Sequence, residues 1–241
     1  MVLSGRTRGW LIWAGVICLI VALRVGCLVY ERSRPFPQKK VTQKRPDEDQ
    51  LVVVPKFHMD DYASTRQLIS RTLWIKLGYS TEYFPISEGG QAGITVRHFF
   101  LPLEKFVVDE VVERSLSRYE RDKQVLLLFQ KEDKRYGTVA GFYHAAQESY
   151  DMQLDELFYL KDPHELYDHW NSDDWLTIER HQLAPGMTLT QVFFSLGLGR
   201  LVVTEAGGIS LYEFARHPGG GPGRTRVRFQ ESRVKKFEVL D

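Results

Sequence analysis

A run of apolar residues near the N-terminus constrains this chain more than any other feature of its sequence. Residues 10–30 carry a single charged side chain, Arg24. About 20 helical residues span a bilayer core. Trp10 and Tyr30 stand at the two ends of the run, where aromatic rings favour the membrane interface. The run predicts a transmembrane anchor within residues 1–30 and contact with membrane lipid through residues 10–30.

Two cleaved forms remain alternatives for the same run. Arg6 and Arg8 precede it as the basic residues of a secretory signal do. Cys27 would then be a candidate for lipidation, although the charged Arg24 three residues earlier is atypical of a lipidation signal. The uncleaved anchor is the leading interpretation, plain cleavage is one alternative, and a lipoprotein attached through Cys27 is the other.

The segment that follows is predicted to be a flexible linker. Residues 31–50 combine prolines with blocks of both charges and almost no apolar side chains, so burial cannot offset the entropy lost on ordering them. Cys18 and Cys27 are the only cysteines, which leaves no disulfide and no cysteine nucleophile after residue 30. The net charge of +1 gives no reason to expect a nucleic-acid partner.

Residues 51–160 are predicted to form a β-rich domain, either a small barrel or a sandwich. Hydrophobic alternation around Leu73 to Leu77 is typical of a half-buried strand. The apolar residues 125–129 and the segment 136–144 predict a hairpin joined by a polar turn. Residues 106–116 fit a helix and a strand equally well.

Two short stretches of this middle region resemble bacterial SH3-like barrels. They are LWIKLGY at residues 73–79 and LPLEKF at residues 101–106. The resemblance implies a small barrel and carries no activity with it.

Residues 161–241 are predicted to contain two helices followed by three strands. Asn171 is a favourable N-cap for the first helix, and Thr188 with Gln191 has the spacing of a capping box for the second. The three strands are predicted near residues 201–203, at 209–214, and across 226–239.

This order of elements resembles the BamE-like (SmpA/OmlA) domain over residues 171–241. The resemblance rests on Gly186-Met187-Thr188, on Gln191-Val192 and on Leu196-Gly197. It implies a bacterial envelope protein whose partners are other envelope proteins. Leu198-Gly199-Arg200 stands where the family usually has a proline, so the exit from the second helix is expected to differ. With the N-terminal run, the resemblance predicts a single-pass inner-membrane protein whose soluble domains face the periplasm.

These predictions together describe an α+β protein. It would have an N-terminal transmembrane helix, a β-rich middle domain, and a C-terminal domain of two helices and three strands. The domain boundaries are predicted at residues 1–30, 31–50, 51–160 and 161–241.

The sequence contains no motif that names a reaction, so the chain is predicted not to be an enzyme and to need no cofactor. His164 and His169 are five residues apart, whereas helical metal sites usually place two histidines four apart, so no metal site is predicted. An unrecognised hydrolase is one alternative, and it would require Asp155, His164 and His169 to meet in one pocket.

The leading functional hypothesis is a non-catalytic, membrane-tethered scaffold or accessory protein that binds other proteins. A peptide- or glycan-binding module in the middle domain is the other alternative. The candidate interaction surface consists of aromatic residues, which are enriched in protein interfaces. They are Tyr79, Tyr83, Phe84, Trp170 and Trp175.

Overall fold

The computed structural model describes residues 23–26, 30, 48–86, 96–115 and 122–240. The chain divides into two units, Met1–Pro46 and Asp47–Asp241. In the first unit, the described residues 23–26 and 30 are helical. All of the elements named below belong to the second unit.

Within the described ranges, no helix has both the length and the apolar character that a membrane crossing needs. The longest helices in these ranges have eight residues, which rise about 12 Å against a bilayer core of about 30 Å. This finding contradicts the predicted transmembrane helix and the predicted inner-membrane location. Most of the run 10–30, with Cys27, lies outside the described residues.

Nine strands and three short helices come first in the second unit. The strands are β1 (Thr72–Ile75), β2 (Glu82–Pro85), β3 (His98–Phe99), β4 (Lys105–Val107), β5 (Glu110–Ser115), β6 (Lys123–Lys131), β7 (Lys134–His144), β8 (Ser149–Met152) and β9 (Phe158–Tyr159). The helices are α1 (Tyr62–Thr65), α2 (Leu154–Leu157) and α3 (Pro163–Leu166), and 3₁₀ turns lie at Glu48–Leu51 and Arg66–Leu68.

Six of these strands form one antiparallel sheet. Its order is β3-β2-β7-β6-β5, with β8 beside β7. The predicted hairpin is confirmed as β6 and β7, whose turn residues Glu132 and Asp133 both have positive φ. The ambiguous segment 106–116 contains β4 and β5 rather than a helix, because these strands pair with β1 and β6 respectively.

A three-stranded sheet, β4-β1-β9, separates two hydrophobic cores. Successive side chains of a strand point to opposite faces, and β9 shows the consequence directly. Phe158 belongs to core 1 while its neighbour Tyr159 belongs to core 2. Likewise Leu73 of β1 is in core 1, and Trp74 packs against core 2. The two cores therefore share one sheet as a common wall.

The remaining elements surround core 2. They are α4 (Ser172–Glu179), α5 (Leu189–Leu196), β10 (Gly199–Glu205), β11 (Ile209–Arg216), β12 (Pro222–Gln230) and β13 (Arg233–Leu240). Both predicted caps are confirmed: Asn171 Oδ1 accepts from the backbone N–H groups of Asp173 and Asp174 at 2.9 Å. Thr188 and Gln191 cap each other's backbone N–H groups at 2.8 and 3.2 Å.

The C-terminal sheet has four strands in the order β10-β11-β12-β13, so the prediction of three strands is wrong. Residues 226–239 form parts of two strands that are joined by Glu231 and Ser232. Both residues adopt positive φ, 54° and 66°, a conformation that usually selects glycine or asparagine in a hairpin turn. Because neither residue type is present, the sequence carried no signal for this turn.

The predicted α+β class is also wrong. The described residues form three antiparallel sheets, and their helices have four to eight residues. The capping box at Thr188 and Gln191 correctly indicated a helix, but the strands of the C-terminal region are longer and more numerous than the helices that cover them.

Candidate functional site

The outer face of the six-stranded sheet carries a groove. Tyr83 of β2 and Val125 of β6 point into core 1, so their strand neighbours point to the opposite face. Three of these neighbours, Glu82, Phe84 and Gln124, help to line a cavity of about 260 Å³, here called the Phe84 groove. Its lining residues are Glu82, Phe84, Arg97, Arg114, Gln124, Val139 and Phe142.

Pairing between strands brings these residues together from distant parts of the chain. Arg114 of β5 pairs with Gln124 of β6, which pairs in turn with Phe142 of β7. Leu126 lies two residues further along β6 and is 1% exposed. Beside the groove, the outer face of the sheet is therefore covered rather than exposed at Leu126.

The guanidinium of Arg114 is held in place by two neighbours. Its Nη2 donates to Gln124 Oε1 at 3.1 Å, and its Cζ lies 5.5 Å from the centroid of the Phe84 ring. Such a position gives a favourable cation–π contact. Its Nη1 is buried and has no hydrogen-bond partner among the described residues. A buried donor without an acceptor costs about 1–3 kcal/mol, so an acceptor that reached this atom would remove that cost.

The charge of the groove is positive. Arg97 Nη1 donates to Glu82 Oε2 at 2.8 Å, so these two side chains neutralise each other. Arg114 forms no ion pair with any carboxylate in the described part of the chain. Among the described residues, the groove therefore presents one uncompensated positive charge beside two aromatic rings.

The size of the groove limits what can fill it. Pockets for drug-sized ligands and cofactors usually have volumes of about 300–1,000 Å³. The Phe84 groove, at about 260 Å³, lies below that range. It can receive one or two side chains, or a short part of a longer molecule that continues across the sheet.

The predicted aromatic surface is divided between several places. Tyr83 is 7% exposed and lies in core 1, where its ring stacks on His98. Trp170 and Trp175 are 7% and 8% exposed, and they pack on each other in core 2. Among the five predicted residues, Phe84 lines the groove.

Tyr79 lies apart from the groove, against the loop that follows β11. The guanidinium of Arg216 is 4.7 Å from its ring centroid, and His181 packs edge-on against it. Burial raises the pKa of the Tyr79 hydroxyl. Its hydroxyl oxygen is buried and finds no hydrogen-bond partner in the described ranges. Tyr79 therefore joins β1–β2 to the C-terminal region.

The three residues of the hydrolase alternative bind different partners. Asp155 Oδ1 accepts from the backbone N–H of Phe57 at 3.0 Å. His164 contacts Asp162 and Glu179 through its two ring nitrogens. His169 contacts Asp49. In the described ranges, no group of three or more His, Cys, Asp or Glu side chains has an arrangement that could hold a metal ion.

Asp49 is a buried carboxylate that sequence reasoning missed, since it belongs to the predicted linker. Its side chain is 4% exposed. Oδ1 accepts from Trp170 Nε1 at 2.7 Å and lies 2.8 Å from His169 Nε2, and Oδ2 accepts from the Thr188 hydroxyl. Three side chains converge on this single acceptor, so Asp49 fixes the residues around 48–51 to core 2.

A second cavity, of about 370 Å³, lies beside β1. Its lining residues are Met59, Gln67, Leu68, Arg71, Thr72, Trp74 and Leu160. None of its polar atoms is both buried and unpaired in the described ranges. It therefore lacks the unused donor that distinguishes the Phe84 groove.

The groove residues other than Phe84 were not predicted. Glu82, Arg97, Arg114, Gln124 and Phe142 come from segments that are separated along the chain, and none forms a motif. The alternation within β5 could have placed Arg114 opposite Val111 and Glu113, had the segment been identified as a strand. The pairing of Arg114 with Gln124 requires knowledge of the sheet order.

Comparison with protein-family models, with curated proteins and with solved structures finds no match for this chain. The resemblances to the BamE-like domain and to SH3-like barrels therefore stay predictions.

Proposed function

We propose that the chain is a non-catalytic protein-binding module, and that the Phe84 groove holds an acidic segment of the partner protein. The buried, unpaired Nη1 of Arg114 supports this proposal most directly. An arginine that is oriented by Gln124 and by an aromatic ring is suited to a planar, two-point contact with a carboxylate.

The apolar surroundings define the second element of the ligand. Phe84, Val139 and Phe142 line the groove beside Arg114. An aliphatic or aromatic side chain next to an Asp or Glu would fill this surface while the carboxylate meets the guanidinium. The partner is therefore a segment in which an acidic and an apolar residue are neighbours.

Selection from a library of random linear peptides tests the proposal. The full chain is the target, and the binding of selected peptides is then measured by fluorescence anisotropy. Peptides with an Asp or Glu beside an apolar residue are expected. Replacing that acidic residue by its amide should weaken binding about 10- to 100-fold, because a hydrogen bond to a charged group contributes about 1.5–3 kcal/mol.

Two variants of the chain locate the site. Arg114→Gln should weaken binding by the same factor, whereas Arg71→Gln removes an arginine from the second cavity and should change the affinity less than about twofold. Equal affinities for wild type and Arg114→Gln would disprove the groove as the site. Selected peptides that bind equally well after every acidic residue is replaced by its amide would disprove the contact between a carboxylate and Arg114.

A further inference from the structure

We propose that strand β10 is a self-association surface, through which two copies of this chain pair antiparallel about a two-fold axis. This inference is independent of the Phe84 groove, which lies on another sheet. The strand stands at one edge of the four-stranded sheet, and its outer edge pairs with no strand in the described ranges. An unpaired edge offers a row of backbone donors and acceptors to another strand.

The edge is unusually apolar. Leu201, Val202 and Val203 are 50%, 46% and 41% exposed, and Leu198 just before the strand is 50% exposed. Natural edge strands are usually protected by lysine, proline, a bulge or a covering element; β10 has a bulge at Val202 but no lysine or proline. Leu201 and Val203 pair with the adjacent residues Tyr212 and Leu211, so they point to opposite faces and the edge is apolar on both.

The charges of the strand complement a second copy of the same strand. In an antiparallel pair centred between Val202 and Val203, Arg200 of one copy lies opposite Glu205 of the other. Leu201 lies opposite Thr204, and Val202 lies opposite Val203. The two-fold axis repeats each contact, so two ion pairs would flank a central apolar contact. A second copy would therefore supply an opposite charge at each end of this edge.

A bulge makes this arrangement possible. Leu201 pairs with Tyr212 and Val203 pairs with Leu211, which leaves Val202 as an extra residue. In a regular strand, residues five apart point to opposite faces. The extra residue restores the alternation, and Arg200 and Glu205 share the face of Glu213 and Ile209. Bulges interrupt regular pairing. In the proposed dimer, the bulge of each copy falls at the centre of the pair, so it does not interrupt pairing at the charged ends.

The existing ion pairs of these two side chains do not prevent the contact. Arg200 Nη2 is 3.6 Å from Glu213 Oε1, and the Arg200 side chain is 78% exposed. Glu205 Oε2 is 2.7 Å from Arg228 Nη2, with both side chains 47% exposed. Exposed pairs of this kind are weak, so each side chain can also meet an opposite charge across the interface.

Charge reversal tests the inference. Sedimentation equilibrium is run on the full chain, with all variants in the same mild non-ionic detergent to suppress association through the apolar residues 10–30. Wild type is expected to dimerise reversibly. Arg200→Glu and Glu205→Arg should each weaken the dimer at least about tenfold, because each creates two like-charge contacts. The double variant R200E/E205R should return to within about threefold of wild type.

Lys236→Glu is the matched control, since it reverses an exposed charge on β13 at the opposite edge of the same sheet. It should leave the dimer unchanged. Circular dichroism of each variant confirms that the fold is retained. A monomeric wild type, single variants that dimerise normally, or a double variant that stays as weak as the single ones would each overturn the inference.

Discussion

Core 1 is enclosed by two sheets and is lined mainly by aliphatic and phenylalanine side chains, such as Leu127 and Phe129, while the hydroxyl of its Tyr83 accepts from Lys131 of the same sheet. Core 2 is enclosed by two helices, the four-stranded sheet and the shared three-stranded sheet, and it contains Trp170, Trp175 and Tyr167 with their polar atoms. Hydrocarbon side chains require only burial, whereas an indole N–H that is buried requires an acceptor. Core 2 therefore depends on a partner for the Trp170 indole as well as on burial.

That partner is Asp49, which lies about 120 residues before the tryptophan that it binds. The two cores of this molecule are therefore completed in different ways. Core 1 follows from strand alternation within its own segment. Core 2 requires a carboxylate from the far end of the unit, so its stability is linked to a segment that looked like a tether.

The largest expected effect is in core 1. Phe129→Ala should lower the free energy of unfolding by about 3–5 kcal/mol, because Phe129 is 1% exposed and its removal leaves a cavity. Urea titration followed by circular dichroism measures this loss. Phe99→Ala is the control, since Phe99 is 45% exposed, and it should cost less than about 1 kcal/mol.

The same titration shows whether the cores unfold together. Because β1 and β9 contribute side chains to both cores, tryptophan fluorescence should report the same midpoint as circular dichroism for both wild type and Phe129→Ala. Two separate transitions would mean that the shared sheet does not couple the cores.

The next effect concerns core 2. Asp49→Ala should lower the free energy of unfolding by about 2–3 kcal/mol, because Trp170 and Thr188 lose their acceptor in a buried place. The neighbouring Glu48 is exposed, so Glu48→Ala should change stability by less than about 0.5 kcal/mol. Equal urea midpoints for the two variants would contradict the role of Asp49.

The smallest effect is a pH-dependent one at the margin of core 1. Tyr150 donates to Glu113 Oε1 at 2.6 Å, and this hydrogen bond raises the pKa of Tyr150 to about 12. Burial opposes ionisation of Glu113, but hydrogen bonds from Lys123 and Tyr150 outweigh it and lower the pKa of this carboxyl. The cluster is therefore a protonated tyrosine beside a carboxylate at neutral pH.

The raised pKa of Tyr150 stabilises the fold fully below pH 10.0, the ordinary value, and the contribution is lost as the pH rises through about 12. Tyr150→Phe should cost roughly 1 kcal/mol at pH 8, and the difference from wild type should shrink above pH 10. Urea midpoints at several pH values measure it. A difference for Tyr150→Phe that stays constant across this pH range would refute the assignment.

The local signals of the sequence were reliable where one segment decided the outcome. The β6–β7 hairpin, the Asn171 cap and the Thr188–Gln191 capping box all follow from residues close together in the chain. The segment 106–116 was undecided, because helix and strand patterns overlap over so short a stretch. The turn at Glu231 and Ser232 was missed because neither residue type favours positive φ.

The Phe84 groove shows more clearly what the sequence could not predict. Phe84 was selected as an aromatic residue, but its companions Arg97, Arg114 and Phe142 were not. No pattern within one strand marks them, since they become neighbours only through the order of β2, β7, β6 and β5. Tyr83 lies one residue from Phe84 yet points into core 1, so aromatic character alone did not separate a groove residue from a core residue.

The sequence by itself determined the local elements: which segments alternate, where the two longest helices of the described ranges begin, and which residues cap them. Only the tertiary structure decided that a linker carboxylate enters core 2, that one sheet serves two cores, and that Arg114 lies beside Phe84 without an acceptor. The physical reason is range. Caps and alternation act between residues a few positions apart, whereas burial and strand pairing join residues that the chain keeps far apart until it has folded.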